Sequence, residues 1–110
     1  MNITDLKTLL PLTVVQGEYD EKEITGVYTS DLLSDVLANA DDNDVLVTIQ
    51  AHKNTLAVAT VKDSPAIIVC NGREIPEDMI EAARNEKIAI FSTDINQFEV
   101  SGKLYAALNS

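Results

Sequence analysis

The stretch VLVTI at residues 45–49 decides the fold, together with two runs like it, AIIVC at 66–70 and IAIF at 88–91. Each run is short, apolar and rich in β-branched residues, and each is bounded by polar or turn-forming residues. Continuous apolar runs of this length are typical of strands buried on both faces of a parallel sheet. The run starts are 21 and 22 residues apart. That spacing leaves room for one short helix between neighbouring strands, so the pattern predicts a repeated βα unit.

Helix signals occupy the segments between these runs. Capping residues and apolar periodicity predict helices at residues 4–10, 30–39, 54–59, 76–87 and 93–108. The expected N-caps are Thr4, Ser30, Asn54 and either Thr93 or Asp94, with Pro76 at the first position of the fourth helix. Two further strands are predicted at 12–16 and 23–28, joined by an acidic turn at 17–21. We therefore predict an α/β fold in which residues 1–110 form a single compact domain with a mainly parallel sheet.

Composition excludes several classes of function. The chain has 45% hydrophobic residues and a formal charge of −10, which disfavours binding to nucleic acid or to an anionic membrane. Neither a signal peptide nor a membrane-spanning run is evident, so we expect a cytoplasmic protein. Cys70 is the single cysteine. It excludes an internal disulfide or a Cys-rich zinc site, and its place in an apolar run predicts a buried thiol.

The sequence contains no motif that would hold a cofactor or a metal. Its four glycines form neither a phosphate-binding loop nor a dinucleotide-binding turn. The acidic run at 41–44 lacks the alternating spacing and the distal glutamate of a calcium loop, and a turn is the better interpretation. We therefore expect no cofactor, no metal site and no catalytic residues.

Polar residues follow every predicted strand, and ligands of parallel sheets bind beyond the carboxyl ends of the strands. Such residues also cap helices in any α/β protein, and this ordinary interpretation stays open. The six candidate ligand-binding residues are Tyr28, Ser30, Gln50, His52, Asn71 and Arg73.

Two of these candidates have distinct alternative roles. His52 is either a pH-sensitive contact or general base, or an ordinary surface histidine. Arg73 either grips a phosphate or carboxylate of a ligand, or forms an ion pair with Glu74 or Glu77.

Four segments carry a resemblance to a known family. EITGVY at 23–28, followed by SDLLSDV at 30–36, resembles the DRTGG domain family. TIQAHKN at 48–54 and IIVCNGR at 67–73 are similar to stand-alone members of that family. The likeness covers roughly residues 4–108, which is nearly the whole chain.

Within the five-residue motif, Thr25 and Gly26 match the family, Glu23 replaces its aspartate, and Ile24 and Val27 replace its arginine and second glycine. The resemblance implies a fold like the N-terminal domain of the bacterial HPr kinase/phosphorylase, without the kinase domain. Related domains in CBS-containing pyrophosphatases and some phosphotransacetylases look regulatory or assembly-forming. Thr25 and Gly26 are expected at the end of an early strand, where glycine permits a close approach of the backbone.

These observations favour a non-catalytic regulatory module that senses a small phosphorylated or nucleotide ligand, or binds a partner protein. Self-association as a homodimer is also expected, with Phe98 and Tyr105 of the last helix either in the core or at a dimer contact. Two alternatives remain. One is a small enzyme with His52 as general base beside Ser30 or Asp31, and the other is a scaffold that binds no small ligand.

Overall fold

The computed structural model describes residues 1–110, which form five strands and five helices. The strands are β1 (Thr13–Gln16), β2 (Val27–Thr29), β3 (Val45–Thr48), β4 (Ala66–Val69) and β5 (Ala89–Ser92). The helices are α1 (Leu6–Leu9), α2 (Leu33–Asn39), α3 (Lys53–Val61), α4 (Glu77–Glu86) and α5 (Gln97–Leu108). The strand order in the single sheet is β1-β5-β4-β3-β2.

The three apolar runs form β3, β4 and β5 at the centre of the sheet. These strands and β2 are all parallel, with Leu46 opposite Ile67 and Ile67 opposite Ile90. Every residue of β3 and β4 is buried, as expected for strands covered on both faces. The predicted α/β fold with a mainly parallel sheet is confirmed.

Helices cover the two faces of the sheet unequally. Because β2 to β5 follow one another in one direction across the sheet, right-handed connections place α2, α3 and α4 on the same face. Their buried side chains pack with Leu46, Ile67 and Ile90. The other face is covered by α1 and α5, and Ile68 and Phe91 belong to the core there.

The N-terminal region differs from the prediction. The strand expected at 12–16 is confirmed as β1, but it runs antiparallel to β5. The strand expected at 23–28 is present only as β2, which pairs with β3 at the opposite edge of the sheet. Residues 17–26 therefore connect the two edges of the sheet, and the prediction that an acidic turn at 17–21 joins the two strands is wrong. A local pattern shows that a strand exists but not which neighbour it chooses.

Helix starts also differ by a few residues. His52, not Asn54, caps α3, and Asn96, not Thr93 or Asp94, caps α5. Pro76 is the residue before α4 rather than its first residue. Two expected caps, Thr4 and Ser30, are not the residues that precede α1 and α2. None of the five helices has both the length and the apolar composition needed to cross a membrane.

Candidate functional site

The parallel strands bring the six candidate residues to one edge of the sheet, which we call the carboxyl edge. Tyr28 lies in β2, and Ser30 is the first residue after that strand. Gln50 and His52 lie between β3 and α3, while Asn71 and Arg73 lie between β4 and α4. The candidates therefore lie in or after three adjacent strands.

The side chains of Tyr28, Ser30 and His52 already have hydrogen-bond partners within the chain. The Tyr28 hydroxyl donates to both carboxylate oxygens of Asp35, at 3.0 and 2.9 Å. Ser30 Oγ accepts from the Leu32 N–H at 3.2 Å. Nδ1 of His52 accepts from the Asn54 N–H at 3.0 Å, so the imidazole caps α3. Sequence reasoning did not treat histidine as a cap, because Ser, Thr, Asp and Asn are the usual choices.

The Tyr28–Asp35 contact changes the acidity of both groups. Hydrogen bonds from the Asn39 amide, Ser30 and Tyr28 lower the pKa of Asp35, since they stabilise its charged form. The same carboxylate raises the pKa of Tyr28, because the phenol must keep its proton to donate. Tyr28 and Asp35 thus join β2 to α2 as a neutral donor and a charged acceptor.

The carboxyl edge also carries three side chains without a partner in the chain, which we call uncommitted: Gln50, Asn71 and Arg73. All three are exposed. Their side chains make no hydrogen bond or ion pair within the chain. In particular, Arg73 pairs with neither Glu74 nor Glu77, because the four ion pairs of the structure involve other residues. The ion-pair interpretation of Arg73 is therefore wrong.

The backbone that carries Gln50 is held in place. The Gln50 N–H donates to Thr48 Oγ1 at 3.1 Å, and its carbonyl oxygen accepts from Thr55 Oγ1 at 2.8 Å. Thr48 is buried and in turn donates to Asp31 Oδ1 at 3.1 Å. A free side chain thus projects from a loop that the core keeps rigid.

Asp31 is the residue of this edge whose structural role sequence reasoning missed. Its Oδ1 accepts from three donors: Thr48 Oγ1, the Ile49 N–H at 2.8 Å and Gln97 Nε2 at 2.9 Å. These donors lie 17, 18 and 66 residues along the chain from Asp31. One carboxylate therefore ties the ends of β2 and β3 to the first residue of α5. No local pattern announces such a contact.

The loops after β4 and β5 diverge to opposite faces of the sheet, which is where a parallel sheet usually opens a crevice for ligands. Here the two loops bind each other. The Asn71 N–H donates to the Ile95 carbonyl at 3.1 Å, and the Gly72 N–H donates to the Thr93 carbonyl at 2.9 Å. Asn71 and Gly72 reach this position with φ angles of 65° and 63°, a left-handed pair that Asn-Gly adopts readily. The turn closes the crevice.

No cavity opens at the carboxyl edge. The structure has a pocket of about 80 Å³ whose lining includes Ser64, Pro65 and Ile88, just before β4 and β5. A second depression of about 240 Å³ lies between α3 and α4. Neither is lined by any of the six candidates. The enzyme alternative required a deep pocket holding His52 beside a carboxylate, and the structure forms no such pocket.

The two motif residues, Thr25 and Gly26, lie just before β2, not at the end of a strand as expected. The carbonyl oxygen of Gly26 accepts from the Val45 N–H at 3.0 Å. A Cβ at Gly26 would overlap the carboxylate of Asp44, so the expected close approach is present. Burial raises the pKa of Asp44, whose Oδ2 also accepts from the Asp41 N–H at 3.0 Å. Thr25 is exposed beside this contact.

Cys70, Phe98 and Tyr105 lie in contrasting surroundings. Cys70 is completely buried, and burial raises the pKa of its thiol to about 11, so it is the small core residue that was expected. Phe98 is 88% exposed and Tyr105 is 73% exposed. The core interpretation of these two rings is wrong, and the dimer contact remains a prediction.

Comparison with known proteins gives a consistent picture. The model of the family described as HPr Serine kinase N terminus matches residues 42–108, which is more than half of the chain. HPr kinase/phosphorylase of Streptococcus equi subsp. zooepidemicus is 44% identical over 43 residues, covering 39% of this chain and 14% of the relative. The enzyme of Streptococcus pneumoniae is 42% identical over 48 residues, covering 44% of this chain and 15% of the relative. The matched segment is thus a small part of either enzyme.

A solved structure shares the fold across nearly the whole chain. It contains the CBS and DRTGG domains of the regulatory region of Clostridium perfringens pyrophosphatase, complexed with the activator diadenosine tetraphosphate. The TM-score is 0.78 at 15% identity, and the match covers 93% of this chain and 45% of the other. At this identity the likeness establishes the fold.

Proposed function

This chain belongs to the family described as HPr Serine kinase N terminus, and from that membership we propose that it is a non-catalytic regulatory module whose carboxyl edge binds a partner protein. The observation that carries this proposal is the contrast between loops and side chains at that edge. The loops are fixed by Asp31, Thr48 and the Asn71–Gly72 turn. Gln50, Asn71 and Arg73 are exposed on those loops with their side chains uncommitted.

The shape of the edge favours a protein over a small molecule. Sites for small ligands are concave and bury most of the ligand, whereas the one place where this sheet would open is closed by Asn71 and Gly72. Fixed loops with free polar and cationic groups suit a flatter contact, because little loop ordering opposes binding.

The role of His52 supports a function without catalysis. A general base needs a free ring nitrogen near the proton that it removes, and a partner that fixes its tautomer. Nδ1 of His52 is engaged by the Asn54 N–H, and no carboxylate makes a hydrogen bond to the ring. The imidazole has a structural partner instead of a catalytic one.

A phosphorylated or nucleotide ligand is the second candidate. Two observations favour it: the regulatory region that shares this fold is complexed with diadenosine tetraphosphate, and Arg73 carries a guanidinium group with no internal partner. Guanidinium groups bind phosphate with two parallel hydrogen bonds. Such a ligand would lie on the surface of the edge.

The proposal includes self-association as a homodimer and a cytoplasmic location. Two exposed aromatic rings on α5 support self-association. A single buried cysteine with no disulfide is consistent with a reducing compartment.

Photo-crosslinking in the native host tests the partner directly. A photoreactive phenylalanine analogue is placed at position 50 or 73, and at the exposed position 86 at the end of α4 as control. We expect one discrete adduct from positions 50 and 73 and none from position 86. Equal adducts from all three positions, or none, would contradict a partner-binding carboxyl edge.

Thermal unfolding tests the second candidate. Diadenosine tetraphosphate, ATP, pyrophosphate and inorganic phosphate are added to wild type, Arg73→Ala and Arg84→Ala. Arg84 is the matched control, because its guanidinium pairs with Glu18 at 2.8 Å on a different surface. A rise in Tm that Arg73→Ala removes and Arg84→Ala keeps supports the ligand, since preferential binding stabilises the folded state. Flat curves for all four compounds argue for protein binding alone.

A further inference from the structure

The outer face of α5 exposes two aromatic rings in one stripe. Phe98, Gly102 and Tyr105 have the i, i+4, i+7 spacing that aligns side chains on a helix. The inner face is committed, because Val100 and Leu104 are fully buried and Ser101 Oγ lies 2.7 Å from Thr29 Oγ1 of β2. Between the rings, the space beside Gly102 is open. Nothing within the chain covers this stripe.

We propose that α5 pairs with α5 of a second copy of this chain, antiparallel and through the face that carries Phe98, Gly102 and Tyr105. This inference rests on the self-association in the proposed function and gives it a surface. It leaves the carboxyl-edge contact as a separate claim, which the crosslinking at positions 50 and 73 addresses.

Helix geometry makes the stripe self-complementary. A twofold axis between Ser101 and Gly102 places residues 98 and 105 at the same height, since each is three and a half residues from the axis, or about 5 Å at 1.5 Å per residue. Phe98 of each copy then contacts Tyr105 of the other, and contacts between two aromatic rings are favourable. The two Gly102 positions lie at the centre of the crossing, where the missing side chains allow a close approach of the helices.

Charge favours a second copy over an unrelated acidic protein. The whole chain carries −10, so most of its surface repels a copy of itself. The helix α5 is an exception, because Glu99 and Lys103 are its only charged residues. Both project from one side of the stripe. In the antiparallel pair, Glu99 of one copy lies beside Lys103 of the other, and the two contacts form a complementary set.

The area fits a reversible dimer. An aromatic side chain has roughly 150–250 Å² of surface. Since Phe98 is 88% exposed and Tyr105 is 73% exposed, the four rings of a dimer would bury about 500–800 Å². A stable interface buries about 1,200–2,000 Å². We therefore expect a Kd in roughly the micromolar range. The other large exposed apolar residues, such as Leu32 and Val61, lie singly on α3 or before α2 and form no comparable stripe.

Sedimentation equilibrium across concentrations up to about 100 μM tests the surface, because that range exceeds the Kd expected for a small interface. The variants are Phe98→Glu and Tyr105→Glu, with Leu32→Glu and Val61→Glu as controls that add the same charge at positions 65% and 67% exposed. We expect the first pair to weaken dimerisation at least tenfold and the controls to leave it unchanged. A wild type that stays monomeric, or controls that weaken the dimer equally, would overturn the inference.

A charge reversal tests the antiparallel arrangement. Glu99→Lys or Lys103→Glu alone places like charges across the interface and should weaken the dimer. The double variant Glu99→Lys/Lys103→Glu restores opposite charges and should recover it, and a failure to recover would refute the antiparallel pairing. A monomer that still crosslinks a partner from position 73 would refute only this inference, whereas a dimer without that adduct would refute only the carboxyl-edge contact.

Discussion

In residues 27–108 every strand pairs in register with the next, whereas residues 1–26 meet the sheet through one short antiparallel strand and a set of individual contacts. In that N-terminal segment the Ile24 N–H donates to the Met1 carbonyl, and the Ile3 N–H donates to the Lys22 carbonyl. Three apolar anchors, Ile3, Leu6 and Leu10, enter the same core as β4 and β5. The parallel strands β2 to β5 are held by a regular, repeating pattern of backbone hydrogen bonds. The N-terminal segment depends instead on contacts made by particular residues.

In each region one polar side chain makes a hydrogen bond to a residue far away in the sequence. In the N-terminal segment it is Gln16, which is buried at the irregularity of β1 and donates to the Ile88 carbonyl at 2.9 Å. In the parallel region it is Asp31. The comparison shows that a regular apolar core is supplemented by two polar side chains, Gln16 and Asp31, whose hydrogen bonds join distant parts of the chain.

The largest expected effect comes from the core. Ile68 of β4 and Leu6 of α1 are both fully buried, so Ile68→Ala and Leu6→Ala should each lower the free energy of unfolding by about 2–5 kcal/mol. Urea denaturation measures the loss. Hydrogen exchange then separates the regions: Leu6→Ala should deprotect the amides of residues 6–10 well before those of β4. A loss below about 1 kcal/mol for Leu6→Ala would show that the segment is not part of the core.

The next largest loss of stability is expected at Gln16 and Asp31, the two polar side chains that join distant parts of the chain. Asp31→Ala and Gln16→Ala each leave partly buried polar groups without partners, and we expect losses of about 1–3 kcal/mol by urea denaturation. Asp31→Asn is the matched control, because it keeps the acceptor oxygen for Thr48 and Ile49. If Asp31→Asn and Asp31→Ala unfold at the same urea concentration as wild type, the three hydrogen bonds to Asp31 contribute nothing to stability and the role assigned to Asp31 is refuted.

A smaller change in stability is expected when a glycine is replaced by alanine, and its sign depends on whether the space beside the glycine is filled or open. Gly26→Ala places a Cβ against the Asp44 carboxylate and should destabilise by about 1 kcal/mol or more. Gly102→Ala fills open space within α5 of one chain and should stabilise the monomer by about 0.5–1 kcal/mol, so it is measured at a protein concentration well below the Kd of the proposed α5 dimer. Thermal unfolding gives both signs. The Gly26→Ala loss should shrink in an Asp44→Ala background, and an unchanged loss would refute the Asp44 overlap as its cause.

The smallest effect is a pH dependence, carried by one carboxylate in each region. Hydrogen bonds, chiefly from the Thr4 hydroxyl, lower the pKa of Glu21, and bonds led by Asn39 lower that of Asp35. A lowered pKa gives stability that is fully present above the ordinary pKa, 4.5 for Glu21 and 3.8 for Asp35. This contribution is lost as the pH falls below those ordinary values and through the lowered pKa of each group.

Tm measured from about pH 6 to pH 2 tests that sign. Thr4→Ala should flatten the upper part of the acid decline, and Asn39→Ala the lower part. Asp44 works in the opposite direction, because its raised pKa makes the fold gain stability as its carboxyl is protonated. An acid decline that is identical in wild type and both variants would refute the assignment of these hydrogen bonds.

The parts that sequence reasoning predicted are those with local signals. The apolar runs at 45–49, 66–70 and 88–91 marked the central strands, because a strand buried on both faces needs apolar residues in succession. Parallel direction followed from the helices between them, and it placed the six candidate residues on one edge. Which of these side chains are already hydrogen-bonded within the chain did not follow, since the sequence predicted Asn54 as the cap of α3 and the structure has His52 there.

What the folded chain alone settled is the set of contacts between distant residues. β1 joins β5 at the far edge, Asp31 binds Gln97 across 66 positions, and Asn71–Gly72 closes the crevice against the loop after β5. Local patterns report burial and capping because those depend on neighbours in sequence. Which backbone groups meet across the sheet depends on topology, and no stretch of residues contains that information.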